Sequence, residues 1–423
     1  MTTQAKAPTA TTVEPVAVAP SPGDAFTSLQ RLGYIIALGA LSALGPFTID
    51  LYLPAFPTVA HDLHASDAAI QLTLTATLVG FALGQLIVGP LADAFGRRRP
   101  LLITTGIHVV ASLAVAFAPT VELVTVGRVF QGIGAAGSGV VAMAIVRDLF
   151  SGQRLIRMLS RLALVWGLAP VLAPVIGSQL LRVVDWRGIF YVLAGFGLAM
   201  VLVSAFFMIE TLPAGRRGVF SGRAVARRYR HLARDGAFVG SALLGSMVFT
   251  ALFGYLSSSS FVLQDIFGLS AQQYGLAFGA NSLGLVVATQ ISARLMRRLP
   301  PKTVATAGVL IMSAGALSLL ACGLMDGPLW WVLVSLFVVV APLGIINPTV
   351  QVTALANHAE EAGTAASLIG ALNSLLPGLV TPLIGVMGVS VTTMAVVMVG
   401  ALAVAHAALW LIVRPRAQDT VVV

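Results

Sequence analysis

Long apolar stretches constrain this chain more than any other feature: runs of about 20 residues with almost no charge recur between residues 32 and 413. Inside a bilayer no water is at hand for backbone N–H and C=O groups, so each run must satisfy its own backbone as a spanning helix. The runs read as 32–60, 69–92, 100–118, 121–146, 162–184 and 189–209, then 237–263, 271–293, 304–325, 328–352, 364–388 and 390–413. These twelve spans form two sets of six, separated by the polar stretch from Glu210 to Gly236, and the 328–352 span is the least cleanly divided from its neighbour. The expected organisation is a disordered tail over 1–30, a six-helix bundle over 31–209, a basic linker over 210–236, a second bundle over 237–413 and a tail over 414–423. The first 30 residues are rich in Pro, Thr and Ala without an apolar core behind a basic start, unlike a cleavable signal peptide. An all-α integral membrane protein follows, and composition agrees: 10% of the residues are charged, against roughly 25% in soluble domains.

The net charge of +9 raises the question of a nucleic-acid partner, but no basic helix is interleaved with aromatics that would stack on bases. The basic residues are instead sorted along the chain. Of 25, 22 fall in the termini and alternate loops: Lys6 and Arg31, Arg97 to Arg99, Arg147 to Arg161, Arg216 to Arg234, Arg294 to Lys302, and Arg414 with Arg416. The opposite loops hold only Arg182 and Arg187. Because basic residues near span ends are retained in the cytoplasm, both termini are expected there, in a multi-pass protein of the cell membrane. The single cysteine, Cys322, can form neither an intrachain disulfide nor a cysteine-based metal site, and no cofactor or metal is expected.

Ionisable groups at bilayer depth are costly and mark ion or substrate paths. Asp50 lies in Gly45-Pro-Phe-Thr-Ile-Asp-Leu-Tyr-Leu-Pro-Ala-Phe-Pro57. Pro54 cannot donate to the carbonyl of Asp50, and Pro46 frees that of Ser42, so a kink is expected. Desolvation disfavours a charged carboxylate there, as a group that takes and releases protons requires; the alternative is a permanently protonated aspartate that caps a kinked backbone. Arg128 heads Arg-Val-Phe-Gln-Gly-Ile-Gly, with Gln131 three residues on over the same helical face. A guanidinium does not deprotonate in proteins, and Asp50 is the one carboxylate placed well inside a span, so an Asp50–Arg128 pairing is expected. The alternative is an arginine that ties helices together through backbone carbonyls. Gly132, Gly134, Gly137 and Gly139 allow close helix approach.

The second half offers Asn281, Asn347, Gln351 and Asn373 but no carboxylate at comparable depth, which places proton handling in the N-terminal half. Asn347 and Gln351 share a helical face, and these four residues with Tyr52 and Gln131 are the candidates for lining a substrate cavity; each serves equally as a helix contact. His108 and His406 read as ordinary packed histidines, and Trp166, Tyr255 and Tyr274 as lipid-facing, interfacial or core. The most specific local pattern is the loop Gly89-Pro-Leu-Ala-Asp-Ala-Phe-Gly-Arg-Arg-Arg-Pro100. Gly89 and Gly96 permit tight turning, Asp93 can meet an arginine, and Arg97 and Arg98 offer partners to Asp148. Such a cluster can latch two bundles in one state and release them in another.

These residues resemble the major facilitator superfamily, over nearly the whole chain from Arg31 to Arg414. Gly89 to Arg98 is similar to that superfamily's loop between spans two and three, with Ala94 in place of the usual basic residue. Arg128, Gln131 and Gly132 resemble the fourth-span motif of proton-coupled members. Gly167-Leu-Ala-Pro-Val-Leu-Ala-Pro-Val-Ile-Gly177, with Pro170 and Pro174, is similar to the fifth-span motif of antiporters, Ala173 and Ser178 standing at two glycine positions. Ile49 to Pro57, Arg147-Asp148 and Gly363-Thr-Ala-Ala-Ser367 resemble the bicyclomycin and chloramphenicol resistance group of multidrug exporters. The resemblance implies two pseudo-symmetric six-helix bundles around a cavity with alternating access, Asp50 as the proton-coupling carboxylate with Arg128 beside it, the 89–98 loop as a gating latch and 167–177 as a bendable span. It implies a monomeric drug:proton antiporter for small, largely lipophilic compounds, driven by the proton gradient. A metabolite exporter or importer for amino acids or sugars shares the same scaffold. A membrane enzyme is disfavoured, since no His-Glu-x-x-His, Gly-x-Ser-x-Gly or Gly-Lys-Ser/Thr motif is present.

Overall fold

A computed structural model describes residues 22–218, 221–355 and 362–413. The N-terminal tail up to residue 21, the tail from residue 414, and the side chain of Trp166 lie outside the described residues. The first half comprises α1 (Ser28–Asp50), α2 (Phe56–Asp62), α3 (Asp67–Phe95), α4 (Arg98–Ala116), α5 (Val121–Leu149), α6 (Gly152–Leu180) and α7 (Trp186–Phe206). A linker helix α8 (Gly222–Leu232) leads to α9 (Gly236–Phe261), α10 (Ala271–Leu295), α11 (Pro301–Leu324), α12 (Leu329–Val340), α13 (Leu343–Leu355), α14 (Ala362–Val380), α15 (Pro382–Val386) and α16 (Val391–Ala408).

These helices make twelve span bodies, because three spans are broken in two. Each break has a proline at hand. The first span stops at Asp50 and resumes after Pro54, the tenth breaks ahead of Pro342, and the eleventh ahead of Pro382. Among the described residues, eleven segments are long and apolar enough to cross a bilayer by length and composition. The fifth is α6, whose apolar part is Gly167–Leu180 because Arg154, Arg157 and Arg161 occupy its first turns. The first helix starts at Ser28 rather than at residue 31: Thr27 and Gln30 form a capping box that fixes the start. The linker, which reads in sequence only as a polar stretch, contains the helix α8.

Within the first half, α5 is the central post, packed by α3, α4 and α1. Glycines set how near the helices come. A Cβ on Gly132 would fall against Thr77 O and Phe81 N, and one on Gly134 would lie 2.6 Å from His108 N and Thr104 O. The halves meet along two seams, α3 against α14 and α6 against α10. The core is joined at one end only. Its largest cluster takes Tyr52, Phe56, Ile70 and Phe190 from the first half and Phe261, Tyr274 and Phe278 from the second, with the Phe56 and Phe261 rings 5.7 Å apart. Toward the opposite end, which carries Arg97, Asp148 and the linker, the clusters separate: Tyr34, Val88, Leu149 and Met158 in the first half, Leu232, Phe238, Ala354 and Ile369 in the second.

Gly132→Leu is expected to lower stability by about 1–3 kcal/mol or prevent assembly, since the side chain meets backbone that cannot give way. Gly195→Ala, where a Cβ meets nothing within 4 Å, is expected to leave the melting temperature unchanged or slightly raised. Thermal unfolding of the purified protein followed by circular dichroism checks both, and equal losses would reject the packing account.

Candidate functional site

The site begins where α1 ends. Pro46 lies inside the helix, Asp50 is its last residue, and the chain continues as a 3-10 turn over Leu53–Ala55. Carbonyls in a helix's last turn lack intrahelical donors, and the broken end exposes them deep within the protein. Arg128, fully buried on α5, supplies one donor: its Nη1 lies 2.8 Å from Thr48 O and 2.6 Å from Gln131 Oε1. The guanidinium also stands over the Tyr52 ring at 5.0 Å and near that of Phe190 at 5.8 Å.

From Arg128 a chain of hydrogen bonds closes on itself. Gln131 Nε2 donates to Ser112 Oγ at 2.7 Å, Ser112 Oγ to His108 O at 2.7 Å, and Thr48 Oγ1 to Leu44 O at 2.6 Å. His108 Nε2 lies 2.9 Å from Thr48 Oγ1. Because the one hydroxyl proton of Thr48 goes to Leu44 O, the imidazole is assigned as the Nε2–H donor, and its Nδ1 has no partner among the described residues. His108, expected from sequence to be an ordinary packed histidine, is thus a strut between α4 and α1.

The expected ion pair between Asp50 and Arg128 is not formed in this structure. Nη1 of the arginine donates to a backbone carbonyl and an amide, while Nε and Nη2 of Arg128 and Oδ1 of Asp50 have no hydrogen-bond partner among the described residues. Asp50 is 4% exposed and lies within electrostatic reach of the hydroxyls of Tyr255 and Tyr274, across the boundary between the halves. Those tyrosines are held in place. Asn281 Nδ2 donates to Tyr255 OH at 3.1 Å, and Ser259 Oγ lies 3.3 Å from Tyr274 OH.

Ser259 belongs to four consecutive buried serines, Ser257 to Ser260, which the pattern of apolar spans does not single out. A hydroxyl on every side of one helical turn signals polar contact in several directions. Gln71 Nε2 donates to Ser257 O at 3.2 Å, and Gln264 Nε2 to Pro54 O at 3.1 Å and Ser260 Oγ at 2.7 Å. Gln272 Nε2 adds a bond to Ser178 O at 2.9 Å. The bonds of Gln71, Gln264 and Gln272 cross between the halves at the end where the core is joined.

The other candidates are dispersed. Tyr52 is fully buried between Phe56 and Phe190. Asn373 Oδ1 accepts from Ser246 Oγ at 2.9 Å. Asn347 is half-buried and Gln351 exposed. In α6, Pro170 and Pro174 are accommodated without a break, nothing lies within 4 Å of a Cβ on Gly167, and Gly177 packs against the carbonyl of Leu51. The fifth span thus touches the broken end of the first.

The loop after α3 is a dense ion cluster. Gly96 takes φ +89°, and its missing side chain leaves room for the Glu210 carboxylate. Arg97 pairs with Asp93 at 2.5 Å and Asp148 at 2.8 Å, and Thr211 Oγ1 donates to Asp148 at 3.0 Å. Glu210 accepts from Arg97 N at 2.8 Å, Arg98 N at 3.3 Å and Leu212 N at 3.0 Å, and Arg98 donates to Ala205 O. Gly89 lies within α3, where a Cβ would sit 3.6 Å from Val140, an ordinary packing distance. These partners all belong to the first half or the start of the linker, so in this structure the cluster does not make the bundle-to-bundle latch expected from sequence. Glu210, which no motif singles out, is the hub.

A family model described as Major Facilitator Superfamily matches residues 36–382. An uncharacterized MFS-type transporter, YdgK, of Bacillus subtilis is 36% identical over 88% of this chain and 93% of its own. A bicyclomycin resistance protein homolog of Haemophilus influenzae is 31% identical over 80% and 85%, and the multidrug resistance protein MdtL of Klebsiella pneumoniae strain 342 is 28% identical over 90% and 96%. Among solved structures, a D-xylose-proton symporter superposes with a TM-score of 0.73 at 17% identity, covering 93% of this chain and 100% of that one. A bacterial homolog of the human lysosomal transporter Spinster, inward-facing and unoccupied, gives 0.69 at 16%, covering 94% and 100%. Family model, relatives and fold agree: the chain is a multi-pass membrane transporter, not an enzyme, and belongs to the major facilitator superfamily.

Proposed function

We propose that this transporter exports small, largely lipophilic compounds in exchange for protons. The observation that carries the reading is Asp50: a carboxylate at a broken helix end, buried at the boundary between the halves, with an oxygen that no donor among the described residues satisfies. A buried unpaired charge costs several kcal/mol, and proton uptake removes that cost. Proton and compound would then compete for the charge state of one site, and inward proton flow would drive outward export. The relatives named for bicyclomycin and multidrug resistance support a drug-like cargo. The ends carrying Arg97 and the linker are assigned to the cytoplasm by their basic residues; on that assignment the joined core faces the exterior, an inward-facing arrangement.

Asp50→Asn is expected to abolish uncoupler-sensitive efflux of a fluorescent or toxic compound panel while membrane insertion is retained. Full efflux by that variant would reject the proton role, and gradient-driven uptake of a sugar or amino acid by the native protein would instead favour the metabolite reading.

Arg128 Nη1 serves two acceptors while the planar group lies over Tyr52. An ammonium reproduces the charge but not this planar geometry. Arg128→Lys is therefore expected to lose efflux about as fully as Arg128→Ala, and efflux near the native rate in the lysine variant would show that charge alone suffices.

Burial raises the Glu210 carboxyl, but the amides of Leu212, Arg97 and Arg98 and the charge of Arg217 outweigh it, leaving it below the ordinary glutamate value. Its contribution to stability is thus present above about pH 4.3 and lost as pH falls through the lowered folded value. Glu210→Gln is expected to reduce thermal stability at neutral pH and to flatten the acid limb of the stability profile; an unchanged limb would remove Glu210 from the hub.

A further inference from the structure

We infer that the linker helix α8 is a docking surface for anionic phospholipid headgroups of the bilayer that holds the protein. Its two faces are sharply divided. Val225, Tyr229 and Leu232, spaced four and three residues apart, turn inward, with Leu232 fully buried. Arg223, Arg227 and Arg230, spaced four and three, form an exposed stripe flanked by Arg228, and exposed Arg234 follows in the turn after the helix. The helix contains no acidic residue, and no side-chain hydrogen bond or ion pair engages Arg223, Arg227, Arg228 or Arg230 among the described residues.

Its position separates this helix from an ordinary basic loop. Tyr229 OH donates to Leu86 O at 3.2 Å, nine residues short of the end of α3 at Phe95. That is about 13 Å back along the helix. Ile87, beside that contact, is 50% exposed, as a lipid-facing side chain is. On the other side Leu232 packs with Ala365 and Ile369 of α14. The helix therefore lies against the α3–α14 seam, beside the exposed apolar side chain of Ile87, and on the proposed docking its exposed arginines sit at the depth of the headgroup phosphates. Basic residues this close to an anionic surface each add about 1 kcal/mol of attraction, so a stripe of them suits an extended phosphate-bearing surface better than a single small anion. Because α8 touches both halves, lipid held there also bears on the seam.

The test is hydrogen exchange, read by mass spectrometry, on the full-length protein in nanodiscs of phosphatidylcholine alone or mixed with phosphatidylglycerol. Residues 222–232 are expected to exchange about tenfold more slowly in the anionic discs, with the protection lost in high salt. The variant R223Q/R227Q/R230Q is expected to lose it and R223K/R227K/R230K to keep it, while exchange in the spans stays unchanged. Equal exchange of native protein in the two bilayers would overturn the proposal, even if the glutamine variant fails to fold. Protection produced in neutral discs by added inorganic phosphate would also overturn it, in favour of a soluble anion.

Discussion

The broken end of the first span is the constraint on which the rest of the site depends. Two prolines eight residues apart, Pro46 and Pro54, end α1 at Asp50 and leave its last carbonyls facing the protein interior. The C-terminal end of a helix carries partial negative charge, and a cation there is favourable. Arg128 meets both needs at once, since it donates to Thr48 O and brings a positive charge to the helix end. Asp50 stands at that same end. An anion there faces the helix dipole and desolvation, and no hydrogen bond or ion pair joins it to the arginine, whose Nη1 goes to Thr48 O and Gln131. The unpaired carboxylate and the bond from Arg128 Nη1 to Thr48 O are therefore two results of one helix break, and Nε and Nη2 of the arginine have no hydrogen-bond partner among the described residues.

The hydrogen bonds around Arg128 hold α1, α4 and α5 as a unit, whereas Asp50 faces the other half. Thr48 links to His108 on α4 and Arg128 on α5. Tyr255 and Tyr274, by contrast, come from α9 and α10. On the proposed proton role, a change of charge at Asp50 would act across the boundary between the halves, while the hydrogen bonds around Arg128 stay within the first half. The two roles that a sequence merges into one ion pair are divided between a fixed support and a contact at the boundary.

Much of the fold was legible because membrane spans are specified by length and apolarity, which a sequence displays directly. The twelve spans and the proline break in the first needed no tertiary information, whereas the breaks ahead of Pro342 and Pro382 were not singled out. Pairing did not follow as easily. Arg128 could be seen to need partners, but a sequence does not reveal which backbone carbonyls a broken helix leaves without donors, so the one carboxylate within a span was the natural choice. Glu210 was hidden for a related reason: its partners are the amides of Arg97 and Arg98, and backbone donors have no signature in side-chain patterns. The serines from Ser257 to Ser260 did leave a signal, a polar turn in an apolar span, which composition averaged away.

The ion cluster at the end of α3 gains a different meaning once its partners are known. Asp93, Arg97, Asp148 and Glu210 join the ends of α3, α5 and α7 to one another. In this structure the cluster ties together helices of the half that carries Arg128 and does not bridge to the other. The contacts that cross between the halves lie along the two seams, in the bonds of Gln71, Gln264 and Gln272 and in the α8 contacts of Tyr229 and Leu232. On the proposed exchange of compound for protons, the polar bonds at the joined end, between Gln71, Gln264 and Gln272 and their backbone acceptors, are the ones that would have to break for Asp50 to face the other side.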